Sequence, residues 1–155
     1  MSNSLFPTIA VAVDGSPTSL EALDVATDLS RRYGSSLTIV AVAPLQPLYV
    51  AAGEPWVPAE APASDVPYYE KIVAKAVDRA RGAGVASVRG LCLEGAVVDE
   101  LLSYVEREPP ALLVLGSRGL SRAKRILLGS VSAAVVQASK GAVLIVHPAT
   151  TTPSS

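Results

Sequence analysis

Five short apolar runs recur along this chain, and each is separated from the next by a stretch long enough to hold a helix. The runs are Thr8–Val13, Leu37–Val42, a more polar one within Val85–Leu93, Ala111–Leu115 and Ala142–Val146. They are rich in Val, Ile and Leu and nearly continuous rather than alternating, as strands buried on both faces must be. Between them apolar residues return at helical spacing: Ala22, Ala26, Leu29 and Tyr33, then Tyr69, Ile72, Val73, Ala76, Val77 and Ala80, then Val97, Val98, Leu101, Leu102 and Val105. Strands joined through helices pair in parallel, because a tight turn cannot connect a parallel pair. The expected fold is therefore a single three-layer α/β domain. It has a five-stranded parallel sheet with helices on both faces, Rossmann-like in build.

The punctuation agrees with this pattern. Ser16 is a fitting N-cap with Pro17 at the first helical position, and Gly34 stops that helix. Gly82 and Gly84 close the second helix, and Glu106–Pro110 breaks the third, which starts near Ala96. A fourth helix is expected over Ser130–Ser139. The segment 43–67 holds Pro44, Pro47, Pro55, Pro58, Pro62 and Pro67 and no periodicity, and is expected to be a long surface loop. Residues 150–155 form a polar tail expected to be disordered, leaving 1–149 as the domain.

Composition narrows the function classes. Half of the residues are hydrophobic, which a globular core requires. The net charge of -1 gives no broad field for nucleic acid or an anionic membrane, so neither is expected as a partner. Cys92 is the only cysteine and His147 the only histidine, which argues against a disulfide framework, a cysteine-rich metal site and a Ser-His-Asp triad. The start of the chain has no basic stretch before a long apolar run, so a cytoplasmic location is expected.

In open parallel sheets ligands bind beyond the carboxyl ends of the strands, where strand order reverses. The positions to inspect are Asp14–Ser16, Val42–Pro44, Glu94–Gly95 and the loop from Gly116 to Gly129. In that loop Gly116 and Gly119 flank a turn directly after a buried strand, where glycine permits sharp turning and close approach of a ligand. Gly129-Ser130 opens a helix whose free N–H groups and positive dipole end suit a phosphate, and Ser130 and Ser132 add hydroxyls. Arg118, Arg122, Lys124 and Arg125 add positive charge. The residues alone read as an anion site, or as a strand-to-helix loop with glycines for turning and charges for solubility. Arg122, Lys124 and Arg125 suit a solvated face equally well.

Gly-x2-Gly-x9-Gly-Ser between the fourth strand and the fourth helix resembles the ATP-binding motif of the universal stress protein family. The resemblance covers nearly the whole chain, from Ile9-Ala10-Val11-Ala12-Val13-Asp14-Gly15-Ser16 to Val143-Leu144-Ile145-Val146. It implies an adenine nucleotide alpha hydrolase-like fold and a bound adenine nucleotide, ATP with Mg2+ carried by the phosphates. By the same resemblance Asp14 contacts the ribose or adenine, and Val42 offers backbone to the adenine edge. Gly116, Ser117, Arg118 and Gly119 wrap the ribose and phosphates, and Gly129, Ser130, Val131 and Ser132 hold the phosphates. Asp14 also reads as an acidic turn residue, and Val42 as core. Family members pair through the last strand, which implies a homodimer through Val143–Val146; its apolar sequence lacks the charges that block an edge. Pro110 and Ala111 stand where members often carry an acid, and Ala142 where many carry proline; neither change removes a phosphate ligand.

Other nucleotide and hydrolase motifs are missing. There is no Gly-x4-Gly-Lys-Ser/Thr, no dinucleotide fingerprint and no Gly-x-Ser-x-Gly elbow. A receiver domain would need clustered acids after the first strand, and only Asp14 is there. The expectation is a nucleotide-responsive stress or signalling module with no catalytic residues assigned. Its alternatives are a slow ATPase and a nucleotide-free dimeric scaffold.

Overall fold

Thr8–Ala12 (β1) forms the first strand, and the chain then turns through Asp14–Ser16 into a helix over Pro17–Tyr33 (α1). The computed structural model describes residues 3–44, 65–117 and 128–148. Ser16 caps α1 as its sequence predicts, its hydroxyl accepting from Ser19 N at 3.2 Å, a contact worth about 1 kcal/mol. The remaining elements are Ser36–Pro44 (β2), Val66–Gly82 (α2), Val88–Gly95 (β3), Val97–Arg107 (α3), Leu112–Gly116 (β4), Ser130–Ala138 (α4) and Ala142–Val146 (β5).

All strand pairs are parallel, in the order β3-β2-β1-β4-β5. The chain lays β2 and β3 on one side of β1, then returns to lay β4 and β5 on the other. Right-handed crossovers in those two directions put their helices on opposite faces. The burial pattern agrees. One core cluster joins Ile9 and Val11 of β1 to Leu23 of α1 and Val73 of α2. The other joins Ala10, Val40 and Leu113 to Leu101 and Tyr104 of α3 and Val135 of α4. Single-domain α/β architecture with a five-stranded parallel sheet is thus as expected.

Several boundaries differ. β2 runs on to Pro44, paired with Gly95, so residues 43 and 44 belong to the sheet rather than to a loop. Proline is tolerated there because it ends the strand. α2 starts at Val66, with Pro67 in its first turn, where a missing N–H costs nothing. Pro44 and Pro67 are therefore element ends, and the rest of the proline-rich segment, 45–64, lies outside the described residues. Gly116 is the last residue of β4 rather than the first of a loop. The tail 150–155 also lies outside the described residues.

Candidate nucleotide site

Strand order reverses between β1 and β4, so the carboxyl ends of these two neighbours diverge into oppositely placed helices. This opens the crevice that ligands use in such sheets. The β1–β4 register pairs Val11 with Val114, three residues before Asp14 and Ser117, so both lie just beyond the carboxyl ends of these strands. Ala10, Val42, Leu113 and Leu115 point into the α3/α4 cluster, while Asp14, beyond the end of β1, lies near enough to α2 for its charge to act on Tyr69. Four of the residues singled out from sequence, Asp14, Val42, Ser117 and Ser132, thus belong to one end of the sheet.

Asp14 is half-buried and held in a small network. Its Oδ1 accepts from Ser16 N at 2.9 Å, and its own N–H donates to Ser19 Oγ at 3.3 Å. Ser19 Oγ in turn donates to Ser16 O at 3.0 Å. Gly15, between them, has a φ of 84°, which a side chain would strain. The carboxylate is thereby fixed at the strand end with Oδ2 left over. Its negative charge, after burial, helps push the Tyr69 hydroxyl above the usual tyrosine range.

Val42 is 6% exposed, and its side chain belongs to the core. Its backbone is another matter. Val40 O accepts from Val13 N at 2.8 Å, so the backbone groups of Val40, and two residues on those of Val42, point to the β1 side. By that level β1 has turned away at Asp14, and the Val42 backbone faces the crevice.

Gly116 has a reason the sequence did not disclose. A Cβ here would lie 2.9 Å from Thr18 Cγ2 and 3.2 Å from the Thr18 backbone. The start of α1 thus packs directly on the end of β4, and the missing side chain makes room for that packing.

Ser117 is 1% exposed, and its Oγ has no hydrogen-bond partner among the described residues. Its backbone is fully engaged: N donates to Val146 O at 2.8 Å, and O accepts from Gly129 N at 2.5 Å. That second bond ties the end of β4 to the start of α4. Ser132 Oγ donates to Gly116 O at 2.6 Å and adds a second tie. What Ser132 offers a ligand is therefore its backbone N–H rather than its hydroxyl. α4 begins at Gly129 with no side-chain cap, so its first-turn N–H groups lack the partner that a capping serine or aspartate would supply. Ser130 is exposed and Val131 half-buried at this helix start.

Arg118 and Gly119 lie outside the described residues, as do Arg122, Lys124 and Arg125. Glu94–Gly95 ends β3 at the sheet edge, separated from the β1/β4 crevice by β2, and does not join the site. Thr18 and Ser19, unmarked in the sequence, prove to position Gly116 and Asp14. The available signal was a small polar pair in the first turn after a glycine. Among the described residues no cluster of three His, Cys, Asp or Glu side chains is placed to hold a metal. Also among them, no helix is long and apolar enough to cross a membrane.

Comparison with known proteins gives the same picture. A model of the universal stress protein family matches residues 6–147. Universal stress protein Rv1636 of Mycobacterium tuberculosis is 35% identical over 156 residues, spanning 93% of this chain and 98% of the relative. The crystal structure of a universal stress protein in complex with cAMP superposes with a TM-score of 0.67 at 34% identity, covering 92% of this chain and 97% of that one. The universal stress protein of Archaeoglobus fulgidus, solved in complex with dAMP, shares the fold at a TM-score of 0.65 and 20% identity, over 92% and 98% of the two chains.

Proposed function

The chain belongs to the universal stress protein family, and on that footing we propose that it is a receptor for ATP, with Mg2+ carried on the phosphates, acting as a stress or signalling module. The observation that carries this reading is the meeting of a buried hydroxyl without a partner among the described residues, Ser117 Oγ, with the uncapped start of α4 at the point where strand order reverses. A buried hydroxyl without a partner costs about 1–3 kcal/mol, and a ligand oxygen at the site would satisfy it. Open helix N–H groups suit phosphate. The complexes of relatives with cAMP and dAMP support an adenine nucleotide as the ligand class.

In this reading the adenine edge meets the Val42 backbone, and Asp14 Oδ2 takes a ribose or adenine donor. Gly116, Ser117, Arg118 and Gly119 follow the ribose and phosphates, while the N–H groups of Ser130, Val131 and Ser132 behind Gly129 take the terminal phosphates. When bound, magnesium would offset the phosphate charge. With Asp14 Oδ1 already bound to Ser16 N, the described crevice supplies little to activate water, so any hydrolysis is slow. Signalling then rests on occupancy.

We also propose a cytoplasmic homodimer through β5. All of Val143–Val146 is only half-buried and apolar. The opposite edge, β3, carries Arg89 and Glu94. Charges guard one edge and leave the other open to pairing.

The test is calorimetric titration of nucleotide-stripped, full-length protein with Mg-ATP, and in parallel with AMP and cAMP. Saturation near one ATP per chain, lost when Gly119 is replaced by a bulky residue, is the expected result. No heat at millimolar nucleotide would leave a dimeric scaffold whose glycine loop is only a turn.

A further inference from the structure

α2 presents two stripes. Tyr69, Val73, Ala76 and Ala80 are buried in the first core cluster. Beside them Tyr68, Lys71, Ile72, Lys75 and Arg79, spaced by three and four residues, line a cleft of about 480 Å³ whose other wall is Val13, Gly15 and Ser16 of the β1–α1 turn with Ser19, Leu20 and Leu23 of α1. From Tyr68 to Arg79 the cleft runs about 16 Å along α2 at 1.5 Å per residue, the length of roughly three helical turns.

Two features distinguish this cleft from an ordinary seam between helices. Large apolar side chains stand exposed on opposite rims, Leu20 at 45% and Tyr68 at 58%, over a floor that includes Leu23 and Ile72. These two side chains offer a docking helix apolar anchor points on both rims. Second, every charged side chain lining the cleft is a cation. Arg79 is neutralised at one end by a two-pronged pair with Asp24 at 2.7 and 2.9 Å. Lys71 and Lys75 are exposed and form no ion pair with any described residue.

From the charge and the dimensions we infer that this cleft docks an acidic, amphipathic helix of a partner protein. Apolar anchors spaced i, i+3 or i+4, and i+7 fit against Leu20, Ile72 and Tyr68, the usual arrangement for a helix in a groove. Carboxylates flanking those anchors meet Lys71 and Lys75, while a basic helix is repelled. The cleft runs along the α1/α2 face and reaches Gly15 and Ser16, beside Asp14 at one end of the nucleotide crevice. Docking does not rest on nucleotide binding.

The experiment selects random 16-residue peptides displayed on phage against immobilised full-length protein, then titrates a selected peptide by fluorescence anisotropy. Selected sequences are expected to carry Asp or Glu beside apolar residues at helical spacing. Affinity is expected to fall at least about tenfold in the Lys71→Glu/Lys75→Glu double variant, and to fall also in Leu20→Ser. Both lysines are exposed, so Tm and far-UV circular dichroism of the double variant stay unchanged. No enrichment, enrichment of basic peptides, or undiminished binding to the double variant would each overturn the inference. So would a dimer that the double variant abolishes, since the cleft would then be filled by a second copy.

Discussion

Replacing Ser117 by alanine should stabilise the nucleotide-free protein and weaken its hold on nucleotide. The two signs come from one atom. Ser117 Oγ is buried with no hydrogen-bond partner among the described residues, so folding strips it of water and returns nothing. That penalty is about 1–3 kcal/mol, and alanine relieves most of it for the loss of one atom of packing. In a chain of 155 residues 1 kcal/mol corresponds to about 2–4 °C, so thermal unfolding of the stripped variant should shift upward by a few degrees. If the hydroxyl serves a ligand oxygen, its removal costs about 0.5–1.5 kcal/mol of binding, or about two- to twelvefold in Kd by calorimetry. Ser132→Ala is the control with the opposite stability sign. Its hydroxyl donates to Gly116 O at 2.6 Å, and losing that bond should lower stability by about 0.5–1.5 kcal/mol. A Ser117→Ala Tm that falls as far as that of Ser132→Ala would mean the hydroxyl is already satisfied. An unchanged Mg-ATP Kd would mean it does not face the ligand. Either result refutes the reasoning.

Gly116→Ala should cost about 1–3 kcal/mol in denaturant unfolding, because the new methyl meets the Thr18 backbone, which cannot swing aside as a side chain end can. In β5, Val146 O faces β4, so the backbone of Val143 faces outward by alternation. Val143→Pro should therefore spare the β4–β5 ladder and block edge pairing, and sedimentation should give a dimer for the wild-type chain and a monomer for the variant. Burial pushes the Cys92 thiol above its usual range, with Glu70 and Glu94 adding to the effect. Iodoacetamide should then alkylate native Cys92 at pH 8–9 more slowly than the unfolded chain. Because the folded pKa is the higher one, this group's contribution to stability is complete below the unfolded pKa and is lost as pH rises through the folded one.

The elements could be read from the chain because their signals are local. Val11 and Val114 sit in continuous apolar runs, and Ala22, Ala26 and Leu29 repeat at helical spacing. Each such pattern is complete within a few residues, whatever lies elsewhere. The boundaries that shifted did so where a residue obeys two rules at once. Pro44 can end a strand as well as open a loop, and Pro67 can start a helix as well as prevent one.

The site was legible only in outline. Spacing pointed to Asp14, Gly116 and Ser132 as a group, but the meaning of each came from distant partners. Gly116 is glycine because Thr18 lies against it, nearly a hundred residues earlier in the chain. Ser132 spends its hydroxyl on the end of β4. The sequence by itself determined which stretches become strands and helices and that the strands run parallel, since periodicity and crossover length are properties of short segments. Only the tertiary structure decided that β1 and β4 are neighbours, that the Ser117 hydroxyl is buried without a partner among the described residues, and that α1 and α2 leave a cationic cleft between them. Those facts depend on handed crossovers and on packing between residues far apart in the chain, and no local pattern encodes them.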